Sequence, residues 1–231
     1  MSTDFSKLCA DFLRESHRMA SGEKLKASHA RELVAAFFGY KSHAALLAES
    51  RYPVSRLEET NILVPNVPLM DGRRRRLTGL PASVRSSYEL ASNLCTFLQD
   101  EDHFTGQVWL YESLENYILE VFLPEHDYLV SDELSGVMAE TNAYFDESLY
   151  ESASVSEGDD DVVIEVEGVY NGTNDPDKPF SGNKIDVSVT VTLYRMAGRT
   201  GFLDFEVSAG GAVSQDWVDW EDVHGAPASP N

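Results

Sequence analysis

The chain has 231 residues, with 39 Asp and Glu against 18 Lys and Arg, and a formal net charge of -21. Its 42% hydrophobic and 10% aromatic content supports packed cores, so the charge does not make it a disordered chain. No stretch nears the roughly 18 apolar residues that span a bilayer, and an anionic surface is repelled by anionic lipid. Phe5, Leu8, Cys9, Phe12 and Leu13 recur at helical spacing, and Thr3 or Asp4 can cap them. The spacing predicts a helix over 3–20 that stops at Ser21-Gly22. The segment from Met1 to Leu13 carries Asp4 and Asp11 and no apolar run, and does not read as a signal peptide. Ser28 offers the cap of a second helix with Leu33, Val34, Phe37 and Phe38 on its apolar face and Gly39 as its stop. Ser42 caps a short third helix through Ala44, Leu46 and Leu47, and residues 1–50 read as a small helical module. Cys9 and the later Cys95 lie on apolar helical faces. Two cysteines make no disulfide framework, and two buried free thiols in a reducing cytoplasm are expected.

Within this module runs Ser28-His29-Ala30-Arg31-Glu32-Leu33-Val34-Ala35-Ala36-Phe37-Phe38-Gly39-Tyr40-Lys41-Ser42-His43-Ala44-Ala45-Leu46. Residues 24–48 resemble a small helical module of bacterial proteins that is sometimes labelled glyoxalase-related. That module has a serine-x-alanine-leucine-glutamate-leucine helix, then glycine-tyrosine, then a short helix. The resemblance implies a bacterial, mobile-element type of origin and mostly packing roles. It brings no glyoxalase chemistry, because the matching metal-ligand set is missing. His43 stands where the family often has an aromatic residue.

Residues 51–82 hold Pro53, Pro65, Pro68 and Pro81 with short aliphatic pieces, and read as an extended connector packed on the surface. The basic run Arg73, Arg74, Arg75 and Arg76 lies in it. Residues 83–99 predict a helix with Tyr88, Leu90, Ala91, Leu94, Cys95 and Leu98 on its apolar side. A β-hairpin is expected next, with arms over 108–111 and 117–123, followed by a helix over 129–150 and a solvated turn over 156–161. Ile185, Val187, Val189, Val191 and Leu193 alternate with Asp186, Ser188, Thr190, Thr192 and Tyr194, as in a half-buried strand. The same alternation places strands at Ile164–Tyr170 and Leu203–Val207. The fold class is α+β: the three-helix unit, then an acidic domain over 83–224 with an antiparallel sheet of about five strands and helices on one face. Residues 225–231 read as a frayed tail.

The charge is divided unevenly. Residues 1–80 hold 13 Lys and Arg against 9 Asp and Glu, whereas residues 81–231 hold 5 against 30. Between Arg85 and Lys178 there is no Lys or Arg. In an antiparallel sheet Glu165, Glu167, Asp186, Asp204 and Glu206 would point to one side and form a candidate surface for a basic protein. The alternative is a plain solvated face with staggered acids. Trp217 and Trp220, among Asp216, Asp219, Glu221 and Asp222, are a candidate aromatic anchor for a partner, or a closing element. The four arginines can hold phosphate, but docking on the chain's own acidic half is the preferred expectation.

Chemistry-bearing motifs are weak. Asp100-Glu101-Asp102-His103 and His126-Asp127 lack zinc-ligand spacing. Asn171, Thr173, Asp175 and Asp177 alternate like a calcium loop, but Gly182 occupies the place of the bidentate glutamate. There is no nucleophile elbow, and no P-loop lysine follows Gly210-Gly211. No catalytic residue, metal site or cofactor is assigned. The expected function is a non-catalytic bacterial interaction protein whose acidic domain engages a basic partner. One version is a mobile-element inhibitor that blocks a nucleic-acid-binding surface with carboxylates in place of phosphates. A DNA-binding regulator using helices two and three is the first alternative, although the third helix offers few base-reading side chains and direct nucleic-acid binding is disfavoured. An enzyme with a dispersed site around His103 or His126 is the second.

Overall fold

The computed structural model describes residues 4–214. Helix α1 (Phe5–Ser21) starts at Asp4, whose carboxylate accepts from the Lys7 amide, and stops at left-handed Gly22. Helix α2 (Ala27–Phe37) begins without a side-chain cap, so Ser28 lies inside it rather than capping it. Helix α3 (His43–Ala48) is capped by Ser42, which accepts from the Ala45 amide.

The connector does not stay extended. It forms a 3-10 turn (Val54–Glu59), strand β1 (Ile62–Leu63) and helix α4 (Val67–Arg76). Asn66 caps α4 and Pro68 sits in its first turn, where a missing amide is harmless. The prolines that suggested an extended chain therefore mark element starts. Leu57, Leu63 and Met70 are fully buried, so the segment belongs to the core rather than the surface. Helix α5 (Ser87–Asp100) opens on a capping box between Ser86 and Glu89.

The expected hairpin is also absent. Only Gln107–Val108 is extended, as β2; a helical stretch follows, made of α6 (Leu114–Tyr117), a π turn (Ile118–Phe122) and α7 (Leu123–Glu125). Apolar residues on both sides of 117–123 suited a central strand. Here the segment is a helix inside the curl of the sheet, with Ser113 as cap and Ile118, Phe122 and Leu123 buried. Helix α8 (Asp127–Ala139) ends eleven residues before the expected end, and 143–150 begin strand β3. Strand β3 (Ala143–Glu157) carries two bulges, between Phe145 and Glu147 and between Tyr150 and Ser152. Each bulge adds a residue to the period of two. Inward Phe145, Tyr150, Ala153 and Val155 are therefore irregularly spaced, and their alternation is hidden.

Strands β4 (Asp161–Asn174), β5 (Lys184–Ala197) and β6 (Gly201–Val213) complete a curled mixed sheet, a half-barrel of six strands rather than five. Among the described residues the order is β2-β1-β6-β5-β4-β3, with only β1 and β2 parallel. On β6, Phe205 and Val207 face inward, but Leu203 is exposed. Two buried clusters result. One joins α1, α2, α4 and α5 through Phe5, Leu33, Phe37, Phe38, Met70 and Leu94. The other fills the sheet's concave side with Ile164, Val166, Val187, Val189 and Val191 against Ile118, Phe122 and Leu134. Each such side chain contributes about 1.5–3 kcal/mol through removal from water.

Candidate functional site on the outer sheet face

The convex side of the sheet follows from register. Glu165 on β4 stands between Ser154 of β3 and Thr190 of β5, and the row ends at Ser208 of β6. Glu167 stands between Ser152 and Ser188 in the next row, and the Ser188 hydroxyl donates to it at 3.3 Å. Asp186 lies between Val169 and Ala212, with Lys184 Nζ at 3.8 Å. Glu206 lies opposite Thr192 and accepts from the Tyr194 hydroxyl at 2.5 Å. Asp204 accepts from the Phe205 amide at 2.8 Å. All five carboxylates are exposed. No two of them are direct cross-strand partners, so the repulsion of directly opposed like charges is avoided. Hydroxyl groups occupy most positions between them.

The chain's own arginines do not neutralise this face. Arg14, Arg18 and Arg56 pair with Asp11, Glu15 and Glu59 within their own helices or turn. The basic run ends α4. Arg73 reaches Glu32 of α2 at 3.4 Å, and Arg74 donates to the Val84 carbonyl at 3.0 Å. Arg75 and Arg76 are exposed. Among the described residues, arginines meet the acidic half at one end of the sheet. Arg51 and Tyr52 hold Asp160, and Arg199 lies 3.4 Å from Glu157. Buried Arg195 donates to the carbonyls of Gly158, Asp161 and Arg199 at 3.0–3.3 Å. Desolvation lowers its pKa, and these carbonyls are its main-chain partners. This cluster is not among the sites that the sequence pattern predicts. The signal was two isolated arginines flanking Gly198 in an otherwise acidic stretch.

A second cluster was also missed. The hydroxyls of Tyr150 and Tyr170 both donate to Asp127 Oδ1, at 2.7 and 2.5 Å, and lie 3.2 Å from each other. Burial, followed by these hydrogen bonds, raises the pKa of Tyr170 well above its ordinary value. A cavity of about 240 Å³ opens at one end of the half-barrel, where Val64 and Pro65 meet Leu114, Val155, Phe202 and Arg199.

His103 makes edge contacts with Phe5 and Phe97, and His126 stacks on Phe122 with Nδ1 2.8 Å from the Phe122 carbonyl. Among the described residues no three His, Cys, Asp or Glu side chains group to hold a metal ion. Asp175 is used within a turn, by the Asp177 amide and by Lys178. Cys9 and Cys95 are buried free thiols; burial pushes Cys95 up to about 12 and raises Cys9 further. Trp217 and Trp220 lie outside the described residues. No described helix is long and apolar enough to cross a membrane.

Comparison with protein-family models, with curated proteins and with solved structures returns no match. The likeness noted at residues 24–48 therefore rests on its own residues.

Proposed function

We propose that this chain is a non-catalytic binding protein that presents the outer face of its sheet to a cationic surface of a partner protein. The observation that carries this reading is the exposure of Glu165, Glu167, Asp186 and Glu206 on one face, with Asp204 exposed in the irregular stretch of β6 beside them. Most positions between them bear hydroxyls, and among the described residues no arginine forms an ion pair with them. A rigid sheet holds the carboxylates in fixed relative positions, which favours fast, oriented encounter with a basic surface. A partner whose cations normally meet phosphates would find carboxylates there instead. This supports inhibition of a nucleic-acid-binding protein as the specific form of the reading.

The test is binding to immobilised poly-lysine across a salt series. The triple variant E165Q/E167Q/D186N is compared with D100N/E101Q/D102N, which changes net charge equally at the C-terminal end of α5. The face triple loses about tenfold or more in affinity at low salt, and the control triple stays near the native value. Equal losses would show that net charge alone binds the probe, and would overturn the assignment to this face.

A further inference from the structure

Among the described residues strand β3 is an open rim of the sheet. Thirteen of its fifteen residues pair, all with β4, and among the described residues no main-chain group of β3 bonds to the backbone of any other element. None of the fifteen is buried. The opposite rim is β2, only two residues long. Proteins commonly blunt a long edge with lysine, proline, bulges or cover, because its unpaired amides and carbonyls are a template for another strand. On β3, bulges interrupt the edge near Asp146 and Glu151, but Ser152–Glu157 then pair regularly with Glu167–Val162. This six-residue window contains no Lys and no Pro, and its outward side chains, Ser152, Ser154 and Ser156, are small and exposed.

Charge decides what can lie there. Asp146, Glu147, Glu151 and Glu157 line β3, and Glu165 and Glu167 stand on the next strand. A second copy would bring the same acids and another net charge of -21. The chain's own residues 215–231 hold Asp216, Asp219, Glu221 and Asp222 and no Lys or Arg. Both are repelled by this rim, whereas an extended cationic segment is attracted to it. Resting on the reading that the partner is basic, we propose that an extended Lys- or Arg-bearing segment of that partner adds along Ser152–Glu157 as a seventh strand. Backbone pairing with β3 supplies the affinity. Cations at alternate positions of the incoming segment meet the carboxylates of the convex face.

The probe is a blocked octapeptide of alternating lysine and valine, added to the full chain. A second peptide of equal charge carries N-methyl groups on alternate amides, which removes donors along one edge. The first peptide slows hydrogen exchange of the amides over 152–157, and the methylated one binds about tenfold more weakly or worse, because several pairing bonds are lost. Equal affinity of the two peptides, binding without protection over 152–157, or no binding of either would overturn strand addition. If affinity is equal but falls in E165Q/E167Q/D186N, the acidic-face reading stands and strand addition alone fails. Self-association that grows with protein concentration and protects 152–157 would make a second copy the occupant and overturn the proposal.

Discussion

The Cβ of Arg199 occupies the space that a side chain on Gly39 would need: a Cβ at Gly39 would lie 2.7 Å from it. Gly39 also has φ 83°, a left-handed conformation that strains residues with a Cβ. The two features meet where the β5–β6 turn docks on the end of α2. There the Arg199 amide donates to the Phe38 carbonyl at 3.2 Å, and the Gly198 amide donates to the Tyr52 carbonyl at 2.7 Å. The glycine-tyrosine turn of the helical module is thus the seat of the sheet.

Gly39→Ala combines strain with a clash, whereas Gly22→Ala meets the same sign of φ but nothing within 4 Å. The Gly22 variant is expected to lose about 1–2 kcal/mol from conformation alone. The Gly39 variant loses more, about 2–4 kcal/mol, because backbone must shift as well. Urea unfolding of the two variants measures the difference. Equal losses would show that the Arg199 contact relaxes without cost.

Legibility followed how much of each element's pattern is local. Helices α1 and α3 announce themselves through caps at Asp4 and Ser42, and α5 through regular apolar spacing, its cap at Ser86 being seen only in the fold. Strand β5 alternates without interruption, and its inward Ile185, Val187, Val189, Val191 and Leu193 are all buried. The failures have a common source in tertiary context. Residues 117–123 are apolar on both sides because a helix inside a curled sheet touches apolar surface nearly all round. Strand β3 was hidden by its bulges, and α4 by prolines that serve as starts. The outward acids of β4 and β5, Glu165, Glu167 and Asp186, were legible because exposed alternation is local. The arginine cluster around Gly198 was not, because its partners at Gly158, Asp161 and Glu157 lie on another hairpin.

The four arginines of α4 are expected to separate into two classes. Arg73 lies beside Glu32, and both are largely shielded from solvent. Glu32 Oε1 also accepts from the His43 amide at 3.3 Å, so removing Arg73 leaves a shielded carboxylate with a weaker set of partners. Arg73→Ala should cost about 1–3 kcal/mol in urea unfolding, and Arg75→Ala or Arg76→Ala within about 0.5 kcal/mol of native. A uniform small effect would show that Glu32 is solvated well enough without its partner.

Glu49 gives stability a definite pH dependence. Burial pushes its carboxyl up, but the amides of Tyr52 and Arg51 and the Tyr40 hydroxyl, at 2.8–3.1 Å, outweigh this and hold it below the ordinary value of 4.5. A folded-state pKa below the unfolded one adds stability above the unfolded value, and that stability is lost as pH falls through the folded value. Glu49→Gln should therefore be less stable than native near neutrality, with the gap narrowing as pH falls below the ordinary glutamate value and through the lower folded one. Unfolding midpoints measured from neutral to acid pH check this; a gap that widens on acidification would reverse the sign.

Asp127 fastens the start of α8 to the sheet through two tyrosines from neighbouring strands. One carboxylate oxygen accepts from Tyr150 of β3 and Tyr170 of β4, and the Tyr170 hydroxyl also lies 3.4 Å from the Asp127 carbonyl. Hydrogen bonds to a charged acceptor are worth about 1.5–3 kcal/mol, and removing the acceptor leaves two partly buried phenols without it. Asp127→Ala should lose about 2–4 kcal/mol, whereas Asp127→Asn keeps an oxygen in place and loses less. Tyr150→Phe and Tyr170→Phe, combined pairwise with Asp127→Ala, should each lose much of their effect in that background, since the partner is already gone. Ultraviolet titration supplies a second readout. Burial leads the upward shift of both phenols, with the hydrogen bonds to Asp127 adding to it, so both should ionise well above the ordinary tyrosine value of 10.0 while the chain stays folded. In Asp127→Asn the carboxylate's charge is lost and its acceptor replaced, so their ionisation should begin at lower pH than in the native chain. Unchanged titration together with additive stability losses would show that Asp127 and the tyrosines act independently, and that α8 is held by the contacts of Val130 and Leu134 alone.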